Sequence, residues 1–252
     1  MPIHEFLQEE EYDLFSDLLN RELVCGFSNR YHRNMSLVYG EGRENACLNR
    51  NEFLIRLGID HQSLVAAKQV HAGCVRYVDF RDKGSGALSY QTSVMDTDAL
   101  ITDYRNVPLA IFSADCQVVF LYDPHAPAIG LVHSGWRGTK ERIVFQTVQA
   151  MKERFNTRPR DLYAGLGPSI RACCYEVGAE FKELFPEEII SRGSRYYLDL
   201  AGINRTQLAG AGLRDINIFD NATCTSCRND RYFSYRRQGA SCGRMMAVLM
   251  LK

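Results

Sequence analysis

Three short apolar runs, residues 107–112, 117–122 and 127–132, follow one another in mid-chain with only short polar breaks between them. Short apolar runs bounded by Pro, Asp and Gly read as buried strands. Ala114-Asp115-Cys116 fills the first break, and His133 follows the third run. A thiol and an imidazole therefore stand at predicted strand ends, where a rigid sheet can hold them. Directly after His133 comes a glycine-rich turn, Ser134-Gly135-Trp136-Arg137-Gly138-Thr139, and then an apolar periodic stretch.

Around this centre the pattern predicts further elements. Tyr12, Phe15, Leu18 and Leu19 have helical spacing within residues 9–22. Strand is expected over 24–28, a polar loop over 29–44, and a helix over 49–57, with Phe53, Leu54 and Leu57 on one face and Gly58 as its stop. Strands over 64–70 and 74–80 flank a turn carrying His71. A loop over 81–96 precedes a strand over 99–102. The helix over 139–155 has Thr139 as N-cap and Val144, Val148, Met151 and Phe155 as its apolar stripe. Then come strand 162–166, helix 177–185 stopped by Pro186, strand 196–200, helix 203–211, and strands 216–219, 232–235 and 245–251. Strands repeatedly follow strands, which favours an α+β layered sandwich over an alternating parallel sheet. No internal repeat or long linker divides the chain, so residues 1–252 are expected to form one domain, with 1–22 as an N-terminal extension.

Lys+Arg and Asp+Glu are 30 each among 252 residues. Zero net charge gives no general electrostatic grip on nucleic acid or an anionic membrane. No run approaches a membrane span, and the acidic N-terminus lacks an export pattern. The expectation is a cytoplasmic protein whose nine cysteines are reduced. Most of them read as small buried hydrophobes. Cys224-Thr225-Ser226-Cys227 resembles half of a zinc ribbon, but no second CxxC completes it, so structural zinc is not expected there. Adjacent Cys173-Cys174 reads as packing.

His71, Cys116 and His133 stand out together. Two imidazoles and one thiolate form a recognised catalytic zinc set with one position open. With a weak axial Met the same donors suit copper. The gaps, 45 and 17 residues by position, fit no short finger motif, so three unrelated core residues remain the competing account. The turn 134–139 offers backbone amides, close approach at glycine and the Arg137 fork, which suits phosphate; an ordinary turn with Arg137 paired to a carboxylate is the alternative. Trp136 is either a stacking platform for a base or part of the core. Asp96 and Asp98 are an acid/base pair, support for the imidazoles, or a turn and cap. Asp115 is placed to orient a ligand or accept a proton. Tyr232 to Arg237 mixes aromatics with Arg, which suits stacking on a base or an RNA contact; in a chain of zero net charge it reads instead as an edge strand or pocket wall.

Jointly these motifs resemble one family. Gln69-Val70-His71, Asp96-Thr97-Asp98, Ala114-Asp115-Cys116, His133 to Gly138, Gly167-Pro168-Ser169-Ile170, Cys174-Tyr175-Glu176-Val177-Gly178, Phe233 to Arg237 and Gly243-Arg244 occur in that order. They are similar to the bacterial laccase-domain, or polyphenol oxidoreductase, family of zinc-dependent purine nucleoside phosphorylases. Gly26 to Arg30 is similar to its N-terminal signature. The resemblance implies a single-domain four-layer α/β sandwich with mixed sheets, of the toxin-deamidase-like (cysteine hydrolase-like) fold. It implies zinc on His71, Cys116 and His133, with copper as the alternative. It implies phosphorolysis of adenosine, inosine, guanosine and methylthioadenosine, with adenosine deamination as a second activity. Catalytic roles are expected for Asp115, Asp98 and Arg137, and substrate contacts for Arg30, Gln69 and Trp136. The expected partners are purine nucleosides and inorganic phosphate, without nucleic acid or membrane, the chain acting as a monomer or weak homodimer. Tyr31-His32-Arg33 and residues 36–40 depart from the family pattern and are expected to face substrate. Competing readings are copper-dependent oxidation of phenols, a Cys116/His133 thiol hydrolase, and non-enzymatic or enzymatic editing of cell-wall precursors.

Overall fold

The apolar runs become strands buried on both faces, and they fix the architecture. The computed structural model describes residues 22–40 and 42–252; the helical pattern expected over 9–22 thus falls outside the described residues, apart from Glu22. In chain order the elements are β1 (Leu23–Phe27), α1 (Arg43–Arg56), β2 (Val65–Ala66), β3 (Val75–Tyr77), β4 (Ala99–Thr102), β5 (Leu109–Ser113), β6 (Gln117–Asp123) and β7 (Ala128–Ser134). There follow α2 (Trp136–Lys140), α3 (Ile143–Phe155), β8 (Tyr163–Leu166), β9 (Glu176–Val177), α4 (Phe181–Leu184), β10 (Ile189–Arg192) and β11 (Arg195–Leu198). The last are α5 (Leu200–Gly210), β12 (Ile218–Asp220), α6 (Tyr235–Gln238) and β13 (Met245–Leu251).

A six-stranded sheet runs β12-β8-β6-β7-β4-β3, a four-stranded sheet β1-β13-β5-β2, and a small sheet β10-β11-β9. The two larger sheets are mixed: β12/β8, β3/β4 and β2/β5 are parallel, and their other pairs antiparallel. Side chains alternate between two cores along each central strand, as the period of two requires. Leu109, Ile111, Ala247 and Leu249 meet Val118, Phe120, Ile129 and Leu131 between the two large sheets. Val119, Leu121, Ala128 and Val132 face the opposite way, onto Val144, Val148 and Met151 of α3 and Leu208 of α5. Ala110, Met246 and Val248 pack against Phe53 and Leu54 of α1. The layers are therefore helix, sheet, sheet, helix, an α+β fold with mixed sheets.

This arrangement gives the turn at residues 114–116 a particular position. β5 belongs to the four-stranded sheet and β6 to the six-stranded one, so the chain crosses between sheets at Ala114-Asp115-Cys116. His133 shares the parity of Ile129 and Leu131, so its side chain leaves β7 on the face between the sheets.

Several local expectations are corrected. The helix expected over 139–155 is two helices, because Arg142 adopts a left-handed conformation (φ 57°). Thr139 does not cap it; Gly135 precedes α2, and the Thr139 hydroxyl bonds Ser134 Oγ at 2.9 Å. Residues 177–185 are not one helix: Glu176–Val177 pairs with β11, and only Phe181–Leu184 is helical. Residues 232–235 form no strand, and the first α1 turn begins well before residue 49. The strand expected over 64–70 shrinks to Val65–Ala66, and His71 sits on the turn expected to carry it, five residues beyond that strand's end. Among the described residues, no helix is long and apolar enough to cross a membrane.

Candidate metal centre and its cavity

One buried carboxylate shapes two of the three candidate ligands. Asp98 is fully buried, and its oxygens accept the backbone N–H groups of Val70, His71 and Ala72 at 3.1, 3.0 and 2.9 Å. These bonds fold the 70–72 turn and hold His71 in a left-handed conformation (φ 60°) that non-glycine residues rarely adopt. The same carboxylate contacts His133 Nδ1 at 2.8 Å, and the His133 N–H donates to the Asp98 carbonyl at 2.7 Å. With Nδ1 engaged by Asp98, Nε2 is the His133 nitrogen left for a ligand.

Cys116 comes from the sheet-to-sheet turn. Asp115, also at positive φ (88°), anchors that turn: its carboxylate accepts Thr225 Oγ1 at 2.6 Å, Ser234 Oγ at 3.1 Å and Arg236 N–H at 2.7 Å. Ser113 Oγ donates to the Cys116 carbonyl at 2.6 Å. The donor atoms of His71, Cys116 and His133 all lie within 4.8 Å of one another. The two imidazoles stand edge to face, with centroids 4.8 Å apart.

The electrostatics favour a thiolate. Burial would raise the Cys116 thiol, but His133 and His71 beside it outweigh that and bring it down to about 6. Burial would lower His133, yet Cys116 and Asp98 push it up to about 9. Asp98 is held below the usual carboxylate range: its burial opposes this, but His133 and the amides of Ala72 and Val70 prevail. The chain also leaves room here. A Cβ on Gly135 would stand 3.0 Å from Cys116 Sγ and 3.5 Å from His71 Cδ2. Two imidazoles, one thiolate, a carboxylate that orients one imidazole and a glycine that keeps the space clear fit a zinc-type ion.

The three donors open into a cavity of about 530 Å³, within the range of small-molecule sites. Gln69, Asp115, Trp136 and Arg137 line it. The Gln69 amide exchanges two 2.8 Å bonds with the Phe112 backbone. Trp136 packs on Phe181, and the exposed Arg137 stacks on the Trp136 ring, 4.4 Å from its centroid. Arg137 has no carboxylate partner among the described ion pairs. α2 is too short to act as an anion-binding helix start, so the phosphate argument rests on Arg137 and not on the helix. Asp98 lies behind the ligands and outside the lining. Arg30 is also outside it: its guanidinium bonds Gln238 Oε1 at 2.7 Å and stacks over Phe233. Ser36, Leu37, Val38 and Tyr39 line the cavity as expected of that segment, whereas Tyr31, His32 and Arg33 do not.

Sequence reasoning missed several wall residues: Arg50, Tyr90, Phe112, Tyr175 and Arg244. Tyr235 and Arg236 do form wall, the second of the two roles suggested for their segment. A further finding corrects the cysteine reading. Cys173 and Cys174 converge on Cys224 and Cys227, all four sulfurs lying within 4.8 Å.

Comparison with known proteins identifies the family and the fold. A family model described as multi-copper polyphenol oxidoreductase laccase matches residues 23–252. The chain is 35% identical over 225 residues to purine nucleoside phosphorylase YlmD of Geobacillus stearothermophilus, covering 86% of this chain and 82% of that one. It is 32% identical over 207 residues to adenosine deaminase RL5 of an unknown prokaryotic organism, covering 79% of each. The crystal structure of Bacillus licheniformis hypothetical protein YfiH superposes with a TM-score of 0.87 at 30% identity, covering 91% of this chain and 93% of that one.

Proposed function

The chain belongs to the multi-copper polyphenol oxidoreductase laccase family, and from that premise we propose that it is a zinc-dependent purine nucleoside phosphorylase that also deaminates adenosine. Adenosine, inosine, guanosine and methylthioadenosine are the proposed substrates, with inorganic phosphate as co-substrate. The observation that carries this reading is the convergence of His71, Cys116 and His133 on a cavity walled by aromatic rings and arginines. The relatives named as a nucleoside phosphorylase and an adenosine deaminase support the substrate class.

Zinc is preferred to copper on the donor set. Among the described residues, no methionine lines the cavity to serve as a weak axial ligand, and of the described histidines His71 and His133 alone line it. His71, Cys116 and His133 would hold the zinc, which would supply a Lewis acid able to activate water near neutral pH. The chain's own groups do the rest. Asp98 fixes the His133 ring and the His71 turn. The aromatic faces of Trp136, Tyr175 and Tyr235 offer stacking surfaces for a flat purine. Arg137, Arg236 and Arg244 give the cavity positive charge for phosphate, whose oxygen displaces the purine at ribose C1′. A carboxylate offers about four acceptor positions; Asp115 commits three, and the remaining one is proposed to take the proton from hydrogen phosphate and pass it to the nitrogen of the departing purine.

One observation favours a second reading. Cys116, His133 and Asp98 form a thiolate–imidazolium–carboxylate row, the arrangement of a cysteine hydrolase. That reading leaves His71 without a task.

The deciding test incubates zinc-loaded protein with adenosine, with and without phosphate, and separates the products. Adenine formed only with phosphate establishes phosphorolysis, and inosine formed without phosphate establishes deamination. Neither product at verified zinc occupancy overturns the proposal, and turnover of another substrate that survives chelation establishes the thiol hydrolase.

A further inference from the structure

We propose that Cys173, Cys174, Cys224 and Cys227 form a second, structural metal site that takes one thiophilic divalent cation, zinc foremost. The site lies outside the cavity, and the proposal does not depend on the reaction assigned above.

The four sulfurs come from two loops about fifty residues apart in sequence. Cys173 and Cys174 lie between β8 and β9, and Cys224 and Cys227 follow β12. The Cys227 sulfur lies 3.5 Å from that of Cys173 and 3.4 Å from that of Cys174, and all four are within 4.8 Å of one another. A tetrahedral zinc with bonds of about 2.3 Å to sulfur requires S···S separations of roughly 3.8 Å, inside that span. Thiols are weak hydrogen-bonding groups, so mutual contact of four gives little reason for them to cluster.

The backbone, not a chance of side-chain rotamers, brings the loops together. Ser169 N–H donates to the Thr223 carbonyl at 3.2 Å and Thr225 N–H to the Ser169 carbonyl at 3.0 Å, forming a parallel bridge at Ser169 and Cys224. Arg171 ties the first loop to Asp220 at the end of β12 through a 2.7 Å ion pair. The Arg228 N–H donates to the Cys224 carbonyl at 2.9 Å, closing the tight turn that brings Cys224 and Cys227 to one side. Two ligands spaced as CxxC on such a turn are common in structural zinc sites. Here the adjacent pair Cys173-Cys174 supplies what a second CxxC supplies in a ribbon. Cys224 is buried, whereas Cys173 and Cys227 are exposed, so an ion can enter from solvent.

A disulfide accounts for the cluster less well. It would join two sulfurs at about 2.05 Å and leave two thiols over, while Cys227 stands almost equally near two candidate partners. The position also gives the ion a task. Thr225, between the two Cys ligands, donates to Asp115 Oδ1 at 2.6 Å, and Asp115 precedes Cys116. An ion on the four sulfurs would clamp the loop that steadies the catalytic turn.

The test uses metal content and spectra, not turnover. Protein purified under reducing conditions from zinc-supplemented cells should carry two zinc ions per chain. Cys116→Ala should keep one, and the double variant Cys224→Ser/Cys227→Ser should also keep one. As a check independent of folding of the double variant, metal-free Cys116→Ala is titrated with cobalt(II). One equivalent should give thiolate-to-cobalt charge transfer of four-thiolate intensity with the visible bands of a tetrahedral ion, and zinc should displace it. Absence of that spectrum, zinc absent from Cys116→Ala, or recovery of Cys227 in a disulfide under reducing purification would overturn the proposal.

Discussion

Asp98 receives bonds from two segments that the sequence keeps far apart, the 70–72 turn and His133. A carboxylate can accept all four; an amide at the same place would turn an NH2 group toward N–H donors or fail to hold Nδ1. Asp98→Asn should therefore weaken zinc binding about 10- to 100-fold, the usual effect of losing a carboxylate behind a ligating imidazole; chelator competition measures it, and unchanged affinity would show that Asp98 does not orient the ligands. Cys116 gives a pH-dependent test. In metal-free protein its thiol is brought down to about 6, so it is a thiolate above that pH and a thiol below it. Iodoacetamide labelling of Cys116, followed by peptide mass mapping, should be half-maximal near pH 6 rather than near the free thiol's value of about 8.5. Zinc should suppress the labelling. A half-point near that free-thiol value would remove the argument for a thiolate paired with His133.

The elements show what was legible in the chain and why. β4 and β13 occupy the spans predicted for them, and β5 to β8 do so within two residues, because each buries both faces and so carries a continuous apolar run. Elements whose pairing is set at long range were misread. Glu176-Val177 has no strand signature of its own and is strand only because Tyr196 and Tyr197 lie opposite. Phe233 looks like strand, yet Ser234 and Arg236 turn away to bond Asp115, more than a hundred residues earlier. The site divides in the same manner. His71, Cys116 and His133 were readable because each borders an apolar run, whereas Tyr175 and Arg244 reach the cavity from irregular segments. α3 carries the element-scale prediction. Met151 is fully buried, and its sulfur covers Gly130 of β7, where a Cβ would come within 3.2 Å. Met151→Ala should cost about 2–5 kcal/mol in urea unfolding while zinc stoichiometry at the His133 site stays the same. A cost below about 1 kcal/mol would mean that α3 closes over the gap.

The whole molecule is organised by the crossing from β5 to β6. The core between the two large sheets draws Leu109, Ile111 and Leu249 from one and Phe120, Ile129 and Leu131 from the other, so the inner face of each sheet is buried by the other, while the outer faces pack on α3 and α5 and on α1. The proposed metal ligands are distributed over the same junction: His71 on the turn that Asp98 folds, Cys116 at the crossing itself and His133 on β7. A metal that needs all three binds only when both sheets are docked. Binding to the folded state alone adds stability that grows with free-metal concentration, by about 4.1 kcal/mol at a thousand times Kd. We propose that residues 1–252 fold as one domain, with 1–22 as an extension; calorimetry should then show a single unfolding transition with and without zinc, with calorimetric and van't Hoff enthalpies equal. Zinc should move that transition upward as one. In Cys116→Ala the shift due to this site should vanish, leaving only what the cysteine cluster contributes. Two transitions, of which zinc moves one, would mean that the sheets unfold separately and that the shared core does not couple them.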